Sequence, residues 1–244
     1  MGTMWQQKGS AALERWLSDS GTSRDAVARI FAGLKYDTTR SGSLQRPALL
    51  CPGLTAAPWH NPADVPWTRA LVNAFPEIRA EFLEINSRLA AHPEAAKYAT
   101  AGSWYTYYFY DLGQPNHAHL AECPHTAAAL AEIDGIDSAG KAYFSVLAPL
   151  TRVKPHCGLV NTRIRCHFGL VVPDDGCWMR VGDETRTWSE GECLVFDDSF
   201  EHEAANDSDH LRAVLLLDAW HPELTDVERT AVVQLMRAWH SGRK

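Results

Sequence analysis

Three residues in the second half of the chain are of types that can bind metal ions or anions: His156, His202 and Arg212. A neutral imidazole is the commonest metal ligand in proteins, and a guanidinium can bind a carboxylate through two parallel hydrogen bonds. The histidines are 46 residues apart, and Arg212 follows His202 by ten residues. Taken singly, each histidine is more typical of the protein surface than of a ligand site.

Arg212 lies in the segment HLRAVLLLDAW, whose apolar run predicts a strand that is buried on at least one face. A buried guanidinium without a carboxylate partner costs several kcal/mol. One interpretation is therefore a structural ion pair with one of the 30 acidic side chains. The other interpretation is a pocket that receives an anionic ligand, for which arginine is well suited.

The segment RIRCHFGLVV alternates between polar and apolar residues, as a half-buried strand does. Its polar positions are Arg163, Arg165 and His167, and apolar residues occupy the positions between them. Lys, Thr or Glu would serve equally well on a face that meets only water. Two arginines and a histidine on one face therefore raise the question of whether that face lies inside the protein.

The elements around these residues predict an α+β protein with a mainly β core. Many short strands are predicted, and turn signals such as PDDG and SEGE separate them. This spacing is typical of a sandwich, jelly roll or barrel. Besides the two strands above, the strand-like segments are WYTYYFYDLG, KAYFSVLAPL, CWMRVG, ETRTW and ECLVFDD.

Helices are predicted mainly before the strands, and one is predicted after them. SAALERWL and RDAVARIFAGL predict two helices with a break between them, and residues 35–58 are predicted to be irregular. Asn61-Pro62 then precedes a predicted helix in WTRALVNAFPEIRAEFLEINSRL. A short alanine-rich helix lies near Thr126–Ile133, and Thr225 and Glu228 form a capping box that opens a helix to about Trp239. We expect an N-terminal helical region, residues 1–100, packed on a core of residues 101–244.

The composition excludes several classes of protein. The chain of 244 residues is 45% hydrophobic and 22% charged, with a net charge of −7 and no run of Lys and Arg, which argues against a nucleic-acid partner. No segment approaches the roughly 18 apolar residues of a membrane span, and no signal peptide is recognisable. Six cysteines without a CxxC motif predict reduced, buried thiols and exclude a zinc ribbon. We therefore expect a cytoplasmic protein without a membrane partner.

The order of histidine, β segment, histidine and, about ten residues later, arginine resembles that of iron(II)/2-oxoglutarate oxygenases. Over about residues 140–225 the resemblance is to the aspartyl/asparaginyl β-hydroxylase family. CLVFDDSFEHE and LLLDAWHPEL are hallmarks of that family. The resemblance implies a double-stranded β-helix, a cupin-like jelly roll, with the face of Arg163, Arg165 and His167 directed into the barrel.

The resemblance also implies the roles of individual residues. His156 and His202 match the iron ligands, and Arg212 matches the residue that binds the distal carboxylate of 2-oxoglutarate. Ser145, Arg165 and His167 match further positions that hold 2-oxoglutarate, and Arg163 matches a position near the amino-acid substrate. The aromatic strand Trp104–Tyr110 is expected to line the pocket.

Position 158 departs from the usual iron site of the wider superfamily. The facial triad adds a carboxylate two residues after the first histidine, and here that position is Gly158. The resembled family also lacks this carboxylate, but so do halogenases, in which chloride binds iron instead. Cys166 falls on the apolar face of its strand and is expected to pack there, and Asp197 and Asp198 either orient His202 or form a turn.

The leading hypothesis is an oxygenase that uses iron(II), 2-oxoglutarate and O2 to hydroxylate an amino acid, most simply at the β-carbon of an Asp- or Asn-like residue. The substrate could be a free amino acid, a peptide residue or an aminoacyl group on a carrier protein. The alternatives are a biosynthetic tailoring oxygenase or halogenase of the same superfamily, and a non-catalytic jelly-roll binding module.

Overall fold

The computed structural model describes residues 4–36 and 43–240. The helices in these residues are α1 Met4–Ser20, α2 Ala28–Leu34, α3 Thr68–Asn73, α4 Phe75–Ile85, α5 Ala95–Tyr98, α6 His117–Glu122, α7 Pro124–Ala131 and α8 Asp226–His240. The strands are β1 Trp59–His60, β2 Ala90–Ala91, β3 Ala99–Ala101, β4 Trp104–Asp111, β5 Gln114–Pro115, β6 Ala142–Leu147, β7 Thr151–His156, β8 Arg163–Val171, β9 Cys177–Val181, β10 Glu184–Arg186, β11 Cys193–Phe196, β12 His202–Asn206 and β13 Arg212–Trp220.

The strands form two antiparallel sheets that pack face to face. The larger sheet has the order β1-β11-β8-β13-β6-β4-β2, with β5 also paired to β4, and the smaller has the order β10-β9-β12-β7-β3. Tyr143 and Leu216 of the larger sheet share one hydrophobic cluster with Met179 and Val181 of the smaller. The predicted α+β class with a jelly-roll, double-stranded β-helix core is confirmed.

The two faces of β8 meet different surroundings. Its apolar residues belong to a hydrophobic cluster with α4 and α7, in which Phe168 packs edge-on against Phe75 with ring centroids 5.9 Å apart. Arg165 and His167 lie on the opposite face, towards the interior of the barrel. Because helices cover the outside of the larger sheet, the apolar face must point outwards and the polar face inwards. This answers the question that the alternation in the sequence raises.

The N-terminal helices pack mainly on the C-terminal helix. Leu13 of α1, Ile30 of α2 and Val232 of α8 belong to one buried cluster. The capping box is confirmed, since the Thr225 backbone N–H donates to Glu228 at 3.0 Å and the Glu228 N–H donates to the Thr225 hydroxyl at 3.3 Å.

Two predicted elements differ from the structure. The predicted helix after Asn61-Pro62 begins as a short 3₁₀ turn and is then broken at Ala74 into α3 and α4. Pro76 has no N–H to donate within a continuous helix, and it lies instead in the first turn of α4. The strands β7 and β12 are missed, because TRVKPH and HEAAN contain proline and alanine rather than an alternating apolar pattern.

The first hundred residues contribute to the sheets as well as to the helices. The predicted boundary at residue 100 falls inside β3, which pairs with β7, and β1 pairs with β11. Residues 43–58 contain no helix or strand, as expected, whereas 37–42 of the same segment lie outside the described residues. Five of the six free cysteines are buried, and Cys157 is half-buried. No helix among the described residues is both long and apolar enough to cross a membrane.

Candidate active site

A cavity lies between the two sheets. The larger sheet contributes Trp104, Tyr143, Ser145, Arg165, His167 and Arg212 to its wall. The smaller sheet contributes Val153, His156, Met179, His202 and Ala204. The structure therefore brings together six of the seven site residues predicted from the sequence.

His156 and His202 are neighbours across two antiparallel strands. His156 is the last residue of β7, and it pairs in register with His202, the first residue of β12. Their ring centroids are 4.1 Å apart. Antiparallel pairing places the end of one strand beside the start of the other, which explains how residues 46 positions apart meet.

Backbone carbonyl groups fix the orientation of both rings. Nδ1 of His156 lies 2.9 Å from the carbonyl oxygen of Lys154, and Nδ1 of His202 lies 2.9 Å from that of Phe200. A carbonyl oxygen can only accept, so each Nδ1 carries the hydrogen and each Nε2 keeps its lone pair. Burial lowers the pKa of both histidines, most strongly that of His202, which keeps the rings neutral.

The carboxylates before His202 do not orient its ring. Asp197 accepts hydrogen bonds from the Ser199 backbone N–H at 2.9 Å and from Gln45 at 3.0 Å. Asp198 forms an ion pair with Arg165 at 2.8 Å. The sequence allowed these carboxylates either to orient His202 or to form a turn. Asp197 stabilises a local turn, and Asp198 pairs with Arg165, a partner that the sequence did not indicate.

Arg212 is buried without a carboxylate partner among the described residues. It is 2% exposed, and its side chain makes one hydrogen bond, from Nη1 to the carbonyl oxygen of Ser145 at 3.3 Å. The guanidinium lies over the ring of Trp188, 4.4 Å from the centroid. Burial lowers the pKa of Arg212 to about 10, so it remains charged at neutral pH. The structural ion pair considered for this residue is absent from the described residues, and the anion pocket is the interpretation that the geometry favours.

Arg165 lies in the cavity wall but is already paired twice. Its Nη1 is 2.8 Å from Asp198, and its Nε is 2.8 Å from Asp218. Burial alone would oppose the charge on Arg165, but the two carboxylates outweigh burial and raise its pKa. Arg165 therefore fixes both carboxylates and differs in this respect from the unpaired Arg212.

Ser145 and His167 lie beside Arg212. The Ser145 hydroxyl oxygen accepts a hydrogen bond from the indole N–H of Trp104 at 3.0 Å. His167 is neutral, because burial and then the charges of Arg212 and Arg165 lower its pKa. Its Nδ1 is buried without a partner among the described residues, so it remains available to a bound molecule.

Arg163, the seventh predicted site residue, is not in the cavity wall. It is 6% exposed, and its Nη1 lies 3.1 Å from Asp218 and 3.0 Å from the carbonyl oxygen of Ala139. Although it shares a face with Arg165, it lies at the start of β8, where this pairing buries it. The structure thus places Arg163 beside the shared carboxylate rather than in the cavity.

Gly158 lies against Asp198. Its backbone N–H donates to the carbonyl oxygen of Asp198 at 2.6 Å, and a Cβ atom at position 158 would lie 2.5 Å from Asp198 Cγ. The backbone of Gly158 is outside the left-handed region, so close approach rather than an unusual angle requires glycine here.

Sequence reasoning missed two residues near the site, Trp188 and Asp218. Asp218 is the only acidic residue within the apolar run AVLLLDAW, a signal that could have marked it as a partner for buried arginines. Trp188 lies just after β10 and gave no comparable signal. Over residues 4–36 and 43–240 no group of three or more His, Cys, Asp or Glu side chains is arranged to hold a metal ion.

The chain is similar in sequence to proteins of one family. The family profile described as aspartyl/asparaginyl beta-hydroxylase matches residues 72–222, starting well before the motifs that carry the resemblance. The mouse aspartyl/asparaginyl beta-hydroxylase is 36% identical over 187 residues, which are 74% of this chain and 25% of that protein. The human aspartate beta-hydroxylase domain-containing protein 1 is 36% identical over 201 residues, or 78% of this chain and 51% of that protein.

The chain thus spans about a quarter to a half of the length of these curated relatives. Among solved structures, an oxidoreductase of the 2OG-Fe(II) oxygenase family from Burkholderia pseudomallei matches with a TM-score of 0.41 and 13% identity. That match covers 58% of this chain and 78% of the solved chain.

Proposed function

The chain belongs to the aspartyl/asparaginyl β-hydroxylase family, and on that premise we propose that it is an iron(II)- and 2-oxoglutarate-dependent hydroxylase of an Asp- or Asn-like residue. In this proposal the hydroxyl group is added to the β-carbon of the substrate residue. The observation that carries the proposal is one cavity that contains two neutral histidines and a buried arginine, for which the described part of the chain provides no carboxylate partner.

The histidine pair fits a divalent metal ion. Both Nδ1 atoms are engaged with backbone carbonyl groups, so both Nε2 lone pairs remain free for a metal. Because the lowered pKa values keep the two rings neutral, binding a metal requires no proton to leave. In the proposal His156 and His202 are the only protein ligands, and iron(II) is the metal.

The arginine end of the cavity fits a dicarboxylate cosubstrate. Arg212 offers a buried cation without a carboxylate partner among the described residues, and Ser145 lies next to it. A carboxylate here would relieve the unfavourable burial of the guanidinium. His167 adds a buried ring nitrogen without a partner among the described residues. These features support 2-oxoglutarate as the ligand, with its distal carboxylate at Arg212.

The cofactors supply the oxidation, and the protein supplies the binding and the orientation. When bound, iron(II) held by His156 and His202 and 2-oxoglutarate held by Arg212 would supply the O2-dependent oxidation of a substrate C–H bond, with succinate and carbon dioxide as the other products. The side chain of Arg165 holds the carboxylates of Asp198 and Asp218 in place beside the cavity by its two ion pairs.

The experiment is a screen of free aspartate, free asparagine and peptides that contain either residue. Succinate and product mass are measured with iron(II) and 2-oxoglutarate in chloride buffer, with the His156→Ala protein as control. Succinate formed together with a product heavier by one oxygen atom supports the proposal. A chlorinated product without a hydroxylated one would identify a halogenase instead, and failure to bind iron(II) or 2-oxoglutarate would identify a binding module.

A further inference from the structure

We propose that Glu94 and Lys97 select a free amino acid as the substrate, Glu94 by binding its α-ammonium group and Lys97 by binding its α-carboxylate group. The inference deepens the proposed function and rests on it, because this amino acid is the molecule that would be hydroxylated. It concerns the histidine end of the cavity. His156 is half-buried there, whereas Arg212 is 2% exposed, so the histidine end is the more accessible one to a substrate.

The short helix α5 places Lys97 beside this end. Tyr98, the last residue of α5, packs on His156 with ring centroids 4.4 Å apart. The ammonium group of Lys97 lies over the same tyrosine ring, 4.5 Å from its centroid. The strand that follows α5, β3, pairs with β7, which ends at His156. One aromatic ring therefore separates the lysine from a proposed iron ligand.

The carboxylate of Glu94 acts on the same region. Burial lowers the pKa of His156, and the charge of Glu94 is one of the weaker influences that oppose this shift. Burial raises the pKa of Tyr143, and the charge of Glu94 adds to that shift. Because His156 belongs to the smaller sheet and Tyr143 to the larger one, the carboxylate acts on both walls of the cavity.

Hydrogen bonds keep the two charged residues on one turn. The Glu94 backbone N–H donates to Nδ1 of His92 at 3.1 Å, and the Glu94 carbonyl oxygen accepts from the N–H groups of Lys97 and Tyr98, both at 3.0 Å. Residues three positions apart are neighbours on a helical turn, with about 5–6 Å between their Cβ atoms. The α-ammonium and α-carboxylate groups of an amino acid are bonded to one carbon atom, so they can reach two side chains arranged in this way.

Neither charge is neutralised within the described part of the chain. Both side chains are exposed, and neither forms an ion pair with another described residue. Arg152 of β7, by contrast, pairs with Asp207 at 2.8 Å. The Lys97 ammonium lies on the Tyr98 ring although a carboxylate is three positions away, which leaves both charged groups available to a ligand.

The two charges distinguish the three substrate classes that the sequence left open. A free amino acid has both an α-ammonium and an α-carboxylate group. An aminoacyl group on a carrier protein has lost the charge of the carboxylate, and a residue within a peptide has lost both charges. Only the free amino acid therefore gives a partner to Glu94 and to Lys97 at once.

Calorimetry on the protein loaded with iron(II) and 2-oxoglutarate tests the inference, with O2 excluded so that no turnover occurs. The probes are aspartate and asparagine, their N-acetyl derivatives, which lack the ammonium group, and their α-amides, which lack the carboxylate. We expect the wild type to bind a free amino acid about three- to tenfold more tightly than either of its derivatives, the effect of one partly exposed charged hydrogen bond. Equal affinities for the free amino acid and both derivatives would overturn the inference.

Substitution of each charge should remove the discrimination against one derivative only. Lys97→Gln should bind the free amino acid and its α-amide equally and still bind the N-acetyl derivative more weakly, and Glu94→Gln should show the reverse. A general effect on packing would weaken all three ligands by the same factor, and that result would refute the inference. Glu77→Gln on α4 and Lys8→Gln on α1, both exposed, are the controls and should keep the wild-type pattern.

Succinate release separates this inference from the proposed function. A wild-type protein that releases no succinate with any free amino acid or peptide refutes the proposed function, and the inference with it. Succinate release with Asp- or Asn-containing peptides but not with the free amino acids leaves the proposed function standing and refutes the inference alone. Succinate release with a free amino acid, together with the two separate losses of discrimination, supports both.

Discussion

The carboxylate of Asp198 fills the space that a side chain on Gly158 would need. A Cβ atom at position 158 would lie 2.5 Å from both Cγ and Oδ1 of Asp198, well inside van der Waals contact. Asp198 cannot easily move away, because Arg165 binds its carboxylate and the Gly158 N–H binds its carbonyl oxygen. Position 158 therefore has no carboxylate of its own, but the carboxylate of Asp198, from the connection between β11 and β12, lies at the same place.

Substitutions of Gly158 are expected to reduce turnover through this contact. Gly158→Ala should shift Asp198 and destabilise the fold by about 1–3 kcal/mol, the usual cost of overpacking. Gly158→Asp adds a second carboxylate beside the first and should lose 2-oxoglutarate turnover entirely, rather than complete a conventional triad. The measurements are the free energy of unfolding in urea and succinate release. Full turnover by Gly158→Asp would contradict the expected role of this contact.

His156→Ala and His202→Ala are each expected to abolish iron-dependent turnover with the circular dichroism spectrum unchanged. Two protein ligands leave no redundancy, so the loss of iron(II) affinity should exceed the roughly 10–100-fold effect of changes around a ligand. His210→Ala is a matched control, because the His210 side chain is 79% exposed. Iron(II) binding by the double variant at the wild-type level would refute the metal assignment.

Much of the site could be predicted because strand periodicity is a local property. The alternation around Cys166 separates a face that packs under α4 from a face that lines the cavity, and the structure has this separation. The apolar run around Arg212 likewise predicts a buried strand, and the residue is 2% exposed. Burial of a cation in such a run is itself a signal of function.

The partners of these residues could not be predicted, since they depend on strand order. Asp218 reaches both Arg163 and Arg165 only because β13 pairs with β8. The WHPEL motif is a further case, in which His221 and Glu223 both contact Thr55 and so attach the segment before β1 to the end of β13. The contacts of Thr55 join residues more than 160 positions apart, and those of Asp218 join residues more than 50 positions apart, so local pattern gives no information on either.

Arg212→Lys is expected to weaken 2-oxoglutarate although the charge is kept. Lysine lacks the planar fork, and the loss of charge-assisted hydrogen bonds costs about 1.5–3 kcal/mol, or roughly one to two decades in affinity. Arg186→Lys is a matched control, because Arg186 also lies over a tryptophan, 4.6 Å from the ring of Trp59, but pairs with an exposed glutamate. Unchanged 2-oxoglutarate affinity in Arg212→Lys would place the carboxylate elsewhere.

Asp218→Asn is expected to destabilise the fold in a way that depends on pH. Asp218 is 1% exposed and lies between Arg163 and Arg165, so neutralising it leaves one buried and one half-buried cation short of their partner, at a cost of about 3–5 kcal/mol. Burial alone would raise the pKa of Asp218, but Arg165 and then Arg163 outweigh burial and lower it. A carboxylate with a lowered pKa stabilises the fold fully above its unfolded value of about 4, and this contribution is lost as the pH falls through the folded value. The difference in unfolding free energy between wild type and Asp218→Asn should therefore be constant near neutral pH and shrink in acid.

Asp134→Asn, which removes a surface pair with Arg229, is the control for Asp218→Asn and should cost no more than about 1 kcal/mol. Equal losses for the two variants, or a difference that stays the same down to pH values below the folded pKa, would show that Asp218 does not stabilise the two arginines by its charge.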